Sequence, residues 1–212
     1  PESTLTASAL SHGSKAVRKN LAAGYDLYRA PTYQRLLDDA RISRPKRVWI
    51  SLPCTVWSSW QHINLAKSTA EQYESFMRRR RKEIQASNRM INFLLELLSD
   101  ICPDVEVYRE WPAYCTGWPL LERLTSASSF NTARIDGCRY GLKTRSGLLM
   151  RKQWGILNNV PSFQAAFGKK RCTGQHEHGE CRGIDAKMSS YYPVPLCNSI
   201  AQHWKNHNDN HN

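Results

Sequence analysis

"RVWISLPCTVWSSW", residues 47 to 60, decides how the chain is read. Val48, Trp49 and Ile50 form an apolar, β-branched and aromatic run of the length of a buried strand. The run stops at Pro53 and Cys54, and Thr55, Trp57, Ser58 and Ser59 follow. A cysteine just past a proline at a strand end is a packing residue, a metal ligand or a nucleophile. As a nucleophile it attacks as thiolate, and the hydroxyls and turn N–H groups after Cys54 are donors suited to it.

Working outward, "TYQRLLDDARI" (32–42) places Tyr33, Leu36, Leu37 and Ala40 at helical spacing, and Pro45 closes that helix. Residues 69 to 99 read as one long helix. Thr69 with Gln72 three positions on has the form of a capping box, and Ile84, Ile91, Leu94, Leu95 and Leu98 form its apolar stripe. Asp100 and Pro103 end it. "DVEVYRE" (104–110) alternates Val105 and Val107 as a second strand, again followed by Trp-Pro. Strand, long helix, strand is a βαβ unit, so the two strands are expected to be parallel neighbours. Cys54 and Glu110 then lie at matching C-terminal strand ends, where open α/β sheets place ligand sites. Glu110 is either a partner of Cys54 in one pocket or a surface carboxylate paired with Arg109 or Arg123.

The C-terminal part is less regular. "GWPLLERLTSA", "VPSFQAAFGKK" and "VPLCNSIAQHW" read as helices; "FNTARIDGCRYG" and "LLMRKQWGILNN" read as extended pieces. "CTGQHEHGEC" (172–181) reads as a loop. It offers Cys172, His176 and His178 at a spacing that suits tetrahedral zinc, with Gly174 letting the chain wrap. The fourth ligand is Cys181 or a residue from another segment. Four protein ligands make a structural site rather than a hydrolytic one.

The 212 residues carry 30 Lys and Arg against 18 Asp and Glu, a net charge of +12. Such a balance favours a polyanion, most simply nucleic acid; the preference for DNA over RNA is what the family resemblance given below implies. The charge is clustered: Arg78, Arg79, Arg80 and Arg81 run together before Lys82, and Lys143, Arg145, Arg151 and Lys152 form a second group. Lys169 to Arg171 are a third. The candidate nucleic-acid contacts are Arg78, Arg79, Arg80, Arg81, Lys143, Arg145 and Lys152. No apolar run approaches the roughly 18 residues of a membrane span. The 7 cysteines are odd in number and come without a secretory-type leader, so reduced thiols, some on a metal, are expected in an intracellular protein, nuclear in a eukaryotic host. The polar opening from Pro1 reads as a piece of a larger polyprotein or complex.

Four stretches together resemble the cytosine-5 DNA methyltransferases, in particular the divergent methyltransferase-like domains of phage genomes and retrotransposon-type polyproteins. They are "PCTVWS", "EWP", "DGCRYG" and "CTGQHEH", in that order over roughly residues 24 to 200. The resemblance implies an α/β fold: a Rossmann-like methyltransferase sheet, with or without its first cofactor-binding strand, and a zinc-stabilised C-terminal region. It implies that Cys54 attacks C6 of a flipped-out cytosine while Glu110 hydrogen-bonds N3 and the exocyclic amine. S-adenosylmethionine then supplies the methyl group. Pro53 and Ser58 match the family motif. It also implies Cys138 as the fourth zinc ligand beside Cys172, His176 and His178. Two departures stand out: no Gly-rich loop follows a strand ("LSHGSKAV" is the one candidate, and the cofactor-binding residues are unassigned), and Leu52 and Thr55 replace the more usual residues. The alternative function is therefore a non-catalytic, zinc-stabilised nucleic-acid-binding module or assembly piece. The expected organisation is a flexible arm (1–20), an α/β core (21–130), a zinc-stabilised region (131–205) and a tail (206–212).

Overall fold

The computed structural model of the chain describes residues 3–127 and 129–209. In chain order they form α1 (Thr4–Ser11), α2 (Pro31–Ser43), β1 (Arg47–Ser51), α3 (Gln61–Ala66), α4 (Ala70–Glu96) and β2 (Glu106–Pro112). There follow α5 (Glu122–Ala127), β3 (Asn131–Asp136), β4 (Leu149–Met150), β5 (Gln153–Asn158), α6 (Pro161–Phe167), β6 (His178–Gly179), α7 (Gly183–Met188) and α8 (Val194–Asp209). The fold is α/β with a mixed four-stranded sheet in the order β1-β2-β5-β3; β4 and β6 pair separately. No helix is long and apolar enough to cross a membrane among the described residues.

β1 and β2 are parallel neighbours, as the βαβ pattern predicts, with Ser51 in register with Glu110. α4 joins them. Its capping box forms as read: Thr69 Oγ1 accepts from the Gln72 N–H at 3.2 Å, and the Thr69 N–H donates to Gln72 Oε1 at 3.0 Å. Of the predicted stripe, Ile91 and Leu94 are buried, and Phe76, Ala86, Met90 and Phe93 join them, whereas Ile84, Leu95 and Leu98 are only half-buried. The helix closes through a π-turn at Leu97–Ile101, which turns Leu97 and Ile101 into the core as well.

The chain divides into two compact units, neither contiguous in sequence. One comprises Asn20–Ala133 and Gly155–Gln164. Its core packs Leu37 and Ala40 of α2, the α4 stripe, Ile50 of β1 and Val107 and Trp111 of β2. Leu97, Val107 and Trp111 have no exposed surface, and burial of each of the two aliphatic side chains contributes about 1.5–3 kcal/mol. On the other face of the sheet Tyr108 stacks on Trp49 at 5.6 Å and meets Phe163 of α6 edge-on at 4.9 Å.

The second unit comprises residues 3–19, 134–154 and 165–209 of those described. Here the expectation of a flexible arm over 1–20 is corrected. α1 buries Leu5, Ser8 and Ala9 against α8, and Ser8 Oγ donates to Asn198 Oδ1 at 2.9 Å. Three small or apolar side chains on one face of "LTASA" give the helix a face to bury. The boundary expected at 130 falls close to the observed one, but residues 155–164 return to the sheet unit. The expected tail is also shorter: α8 continues helically to Asp209, and the rest of the tail lies outside the described residues.

Candidate metal centre and strand-end site

Asp136 closes β3, and the turn Gly137–Tyr140 follows it. That turn points Cys138 inward, 5% exposed, and leaves Arg139 on the surface. The "CTGQHEHG" segment brings the other three ligands. Gly174 sits at φ 77°, a left-handed conformation that side chains rarely adopt, and its N–H donates to Cys172 Sγ at 3.3 Å. His178 is fixed by β6, whose pairing with β4 places Leu149 beside His178 and Met150 beside Gly179. A Cβ on Gly179 would lie 2.5 Å from Thr144 Cγ2 and 3.1 Å from Leu148 Cβ, so glycine lets β6 close on the segment that leads into β4.

Cys138, Cys172, His176 and His178 present ligand atoms that all lie within 4.8 Å of one another. Cys172 Sγ is 3.6 Å from His176 Nε2 and 3.4 Å from His178 Nε2. A tetrahedron with zinc–sulfur and zinc–nitrogen bonds of about 2.3 and 2.05 Å has a sulfur–nitrogen edge of about 3.6 Å. The four donors could hold a metal ion, and their chemistry and spacing are compatible with zinc. Cys181 is exposed and lies by Ser189 Oγ at 3.6 Å, so it is not the fourth ligand of this cluster.

The electrostatics suit a cation. Burial, then the neighbouring Cys172 and Asp136, push the Cys138 thiol up to about 11. A bound dication reverses that balance and favours the thiolate. Burial, with His176 and Arg151 nearby, holds His178 below the ordinary histidine value, which keeps its lone pair available for a metal. Asp136 is the site residue that sequence reasoning missed. Its side chain has no exposed surface and accepts from the Cys172 N–H at 2.5 Å, Gln153 Nε2 at 2.5 Å and Arg171 Nε at 3.1 Å. Burial drives its carboxyl up, but those three donors outweigh it and hold it below the usual carboxylate range. Its place two residues before Cys138 carried no signal of this, because the N–H it holds belongs to Cys172, in a segment far along the chain.

The other predicted residues gather in the sheet unit. Cys54 is half-buried and caps a short 3-10 turn, Thr55–Trp57. Glu110, 8% exposed, stands opposite the last residue of β1, so both lie at the same end of the sheet. Close to both is a residue not singled out from the sequence, Cys115. Burial pushes its thiol to about 11, and Arg109, Cys54 and Glu110 are all close enough to act on it. The two loops are tied by the Thr116 N–H donating to Trp57 O at 2.8 Å. Trp57 and Trp111, the tryptophans that follow Cys54 and Glu110, are core residues: they are 2% and 0% exposed and pack on each other at 5.9 Å. The exposed aromatics of these loops are Trp60 and Tyr114.

Of the basic candidates, Arg78, Arg79 and Arg81 are exposed on α4. Arg80 is half-buried with its guanidinium 5.5 Å from the centre of the Trp57 ring, which places the arginine run beside the Cys54 turn. Lys143 and Arg145 are exposed in the other unit, where Arg145 pairs with Asp185 at 3.5 Å. Lys152 is not a solvent-facing cation: its Nζ donates to Ser189 O at 2.7 Å and lies over Trp154. "LSHGSKAV" follows helix α1 rather than a strand, and among the described residues no strand precedes β1. Comparison with protein-family models, curated proteins and solved structures returned no match.

Proposed function

We propose that the chain is a cytosine-5 DNA methyltransferase-like protein of the phage and retrotransposon-polyprotein type, with a Rossmann-like sheet. In this reading Cys54 adds to C6 of an extruded cytosine, and Glu110 holds N3 and the exocyclic amine so that the ring accepts the sulfur. S-adenosylmethionine, when bound, supplies the methyl group to C5. Loss of the C5 proton then expels Cys54 and restores the ring. The observation that supports the reading is the parallel register of β1 and β2, in which Glu110 stands opposite Ser51, three residues before Cys54. Arg78 to Arg81 beside the same turn support a nucleic-acid partner, and zinc on the four-residue cluster has a structural role.

A second reading is favoured by a specific observation: β1 is an edge strand, and no strand followed by a Gly-rich turn lies beside it among the described residues. The chain is then a zinc-stabilised nucleic-acid-binding module without turnover, or an assembly piece of a larger complex. One experiment separates the two. The zinc-loaded protein is mixed with a 5-fluorocytosine duplex and S-adenosylmethionine, alongside Cys54→Ser. A covalent adduct resistant to denaturant that Cys54→Ser abolishes supports the enzyme. Salt-sensitive duplex binding with no adduct, and no S-adenosylmethionine binding by calorimetry, supports the module.

A further inference from the structure

The two segments that carry the metal ligands also build a cleft that the proposed chemistry does not use. Cys138 points inward from its turn, and the next two residues, Arg139 and Tyr140, line an open cavity of about 740 Å³. Lys170, two residues before Cys172, lines it from the other segment. The Asp136 N–H donates to Lys170 O at 3.2 Å and joins the segments directly. The far wall is α8, where Asn198, Gln202 and Asn206 fall four residues apart on one face. His12 and His203 complete the lining, and no carboxylate occurs among the described residues that form it.

Each feature has a chemical meaning. Arg139 and Lys170 are fixed cations at the surface, suited to a phosphate. Tyr140 is a half-buried aromatic ring on which a planar group can lie. Asn and Gln amides offer a donor and an acceptor together, the pattern that matches a base edge. Ser8 engages only the oxygen of Asn198, and Gln202 Nε2 donates to Asn206 Oδ1 at 2.7 Å, so the amide row keeps donors and acceptors for a ligand. The volume lies in the range of small-molecule sites, about 300–1,000 Å³. Cation, ring and amide on three walls of one such cleft describe a single nucleotide, phosphate and base together.

The geometry points to a mononucleotide-binding cleft here, organised by the metal cluster behind it and taking either a free nucleotide or one unit of a nucleic-acid strand. It extends the nucleic-acid reading above, but the two fail separately. The test is a fluorescence-anisotropy titration of the full zinc-loaded chain with a labelled short single-stranded oligonucleotide, an unlabelled mononucleotide competitor and a labelled duplex. The variants are Arg139→Ala with Lys170→Ala, Gln202→Glu, and Arg78→Ala with Arg79→Ala and Arg81→Ala. All six positions are exposed, and zinc content with far-UV circular dichroism verifies folding.

The cleft variants are expected to lose oligonucleotide affinity tenfold or more, and the double variant to reduce the salt slope by about two. The α4 variant is expected to weaken duplex binding while leaving the mononucleotide unaffected. Displacement of the oligonucleotide by mononucleotide identifies a strand unit as the ligand; mononucleotide binding by calorimetry with no oligonucleotide binding identifies the free nucleotide. If the zinc-loaded cleft variants bind both short ligands as the wild type does, or the wild type binds neither, the cleft assignment is overturned. Loss of duplex binding alone would remove the nucleic-acid reading and leave the cleft standing.

Discussion

At the scale of single residues, the metal cluster makes the sharpest distinctions. Cys138 and Cys181 were rivals for the fourth position, and only Cys138 lies with Cys172, His176 and His178. Cys138→Ser is expected to lower the zinc content of purified protein severely, and Cys181→Ser to leave it unchanged; metal analysis of the two decides. Asp136 acts through its neighbours, holding the Cys172 N–H and Arg171 at once. Asp136→Asn is expected to weaken zinc affinity about 10–100-fold, as changes beside metal ligands do, read by competition with a chromophoric chelator. Its carboxyl is held below its ordinary value, so its contribution to stability is full above the unfolded pKa of about 4 and disappears as pH falls through the lower folded value. The stability gap between wild type and Asp136→Asn, measured by urea unfolding, should therefore narrow as the pH is lowered below about 4.

At the scale of elements, two short devices hold long consequences. The Thr69–Gln72 box satisfies N–H groups at the start of α4, the helix that makes β1 and β2 parallel neighbours. Thr69→Ala is expected to cost about 1 kcal/mol in denaturant unfolding, since a lost cap strips one side-chain acceptor from the first turn. The β4–β6 pair is only two residues long on each side, yet it positions His178. Gly179→Ala would drive a methyl group to 2.5 Å from Thr144. It is expected to part the two strands and to lower zinc affinity, while the far-UV circular dichroism of the main sheet persists. β6 was not legible beforehand, although the stretch that holds its partner β4 reads as extended. Two-residue strands carry no periodicity, and "HEHG" reads as a polar loop until tertiary pairing defines it.

For the whole molecule, the division into two units predicts how metal removal propagates. The sheet unit has its own large apolar core, from Leu37 to Leu157. The unit that holds the ligands draws on three separated stretches, and cross-linking such stretches is where a metal contributes most to folding. Hydrogen exchange after chelation is expected to show lost protection in 134–154 and 165–209 while β1, β2 and the buried turns of α4 stay protected. α1 should lose protection with them, because it packs on α8. Equal loss in both units would contradict this division.

By itself the sequence determined the parts governed by local physics. The apolar runs at 47–52 and 104–110, the capped helix between them and the handedness of a βαβ crossover are enough to set Cys54 and Glu110 at one end of adjacent parallel strands. The close spacing of Cys172, His176 and His178 was likewise legible, because a short loop with a glycine can present three donors by itself. What only the tertiary structure decided were meetings between distant segments. Asp136 and Gln153 lie far from Cys172 in sequence, and nothing in the spacing of a lone acid says which N–H it will accept. Trp57 and Trp111 have the same composition signal whether they face a ligand or each other. Their burial settles it in favour of the core, with Gly117 packed so closely that a Cβ there would collide with Trp111 and press on Trp57. α1 escaped notice because its apolar face is narrow and acquires meaning only from α8, nearly two hundred residues later.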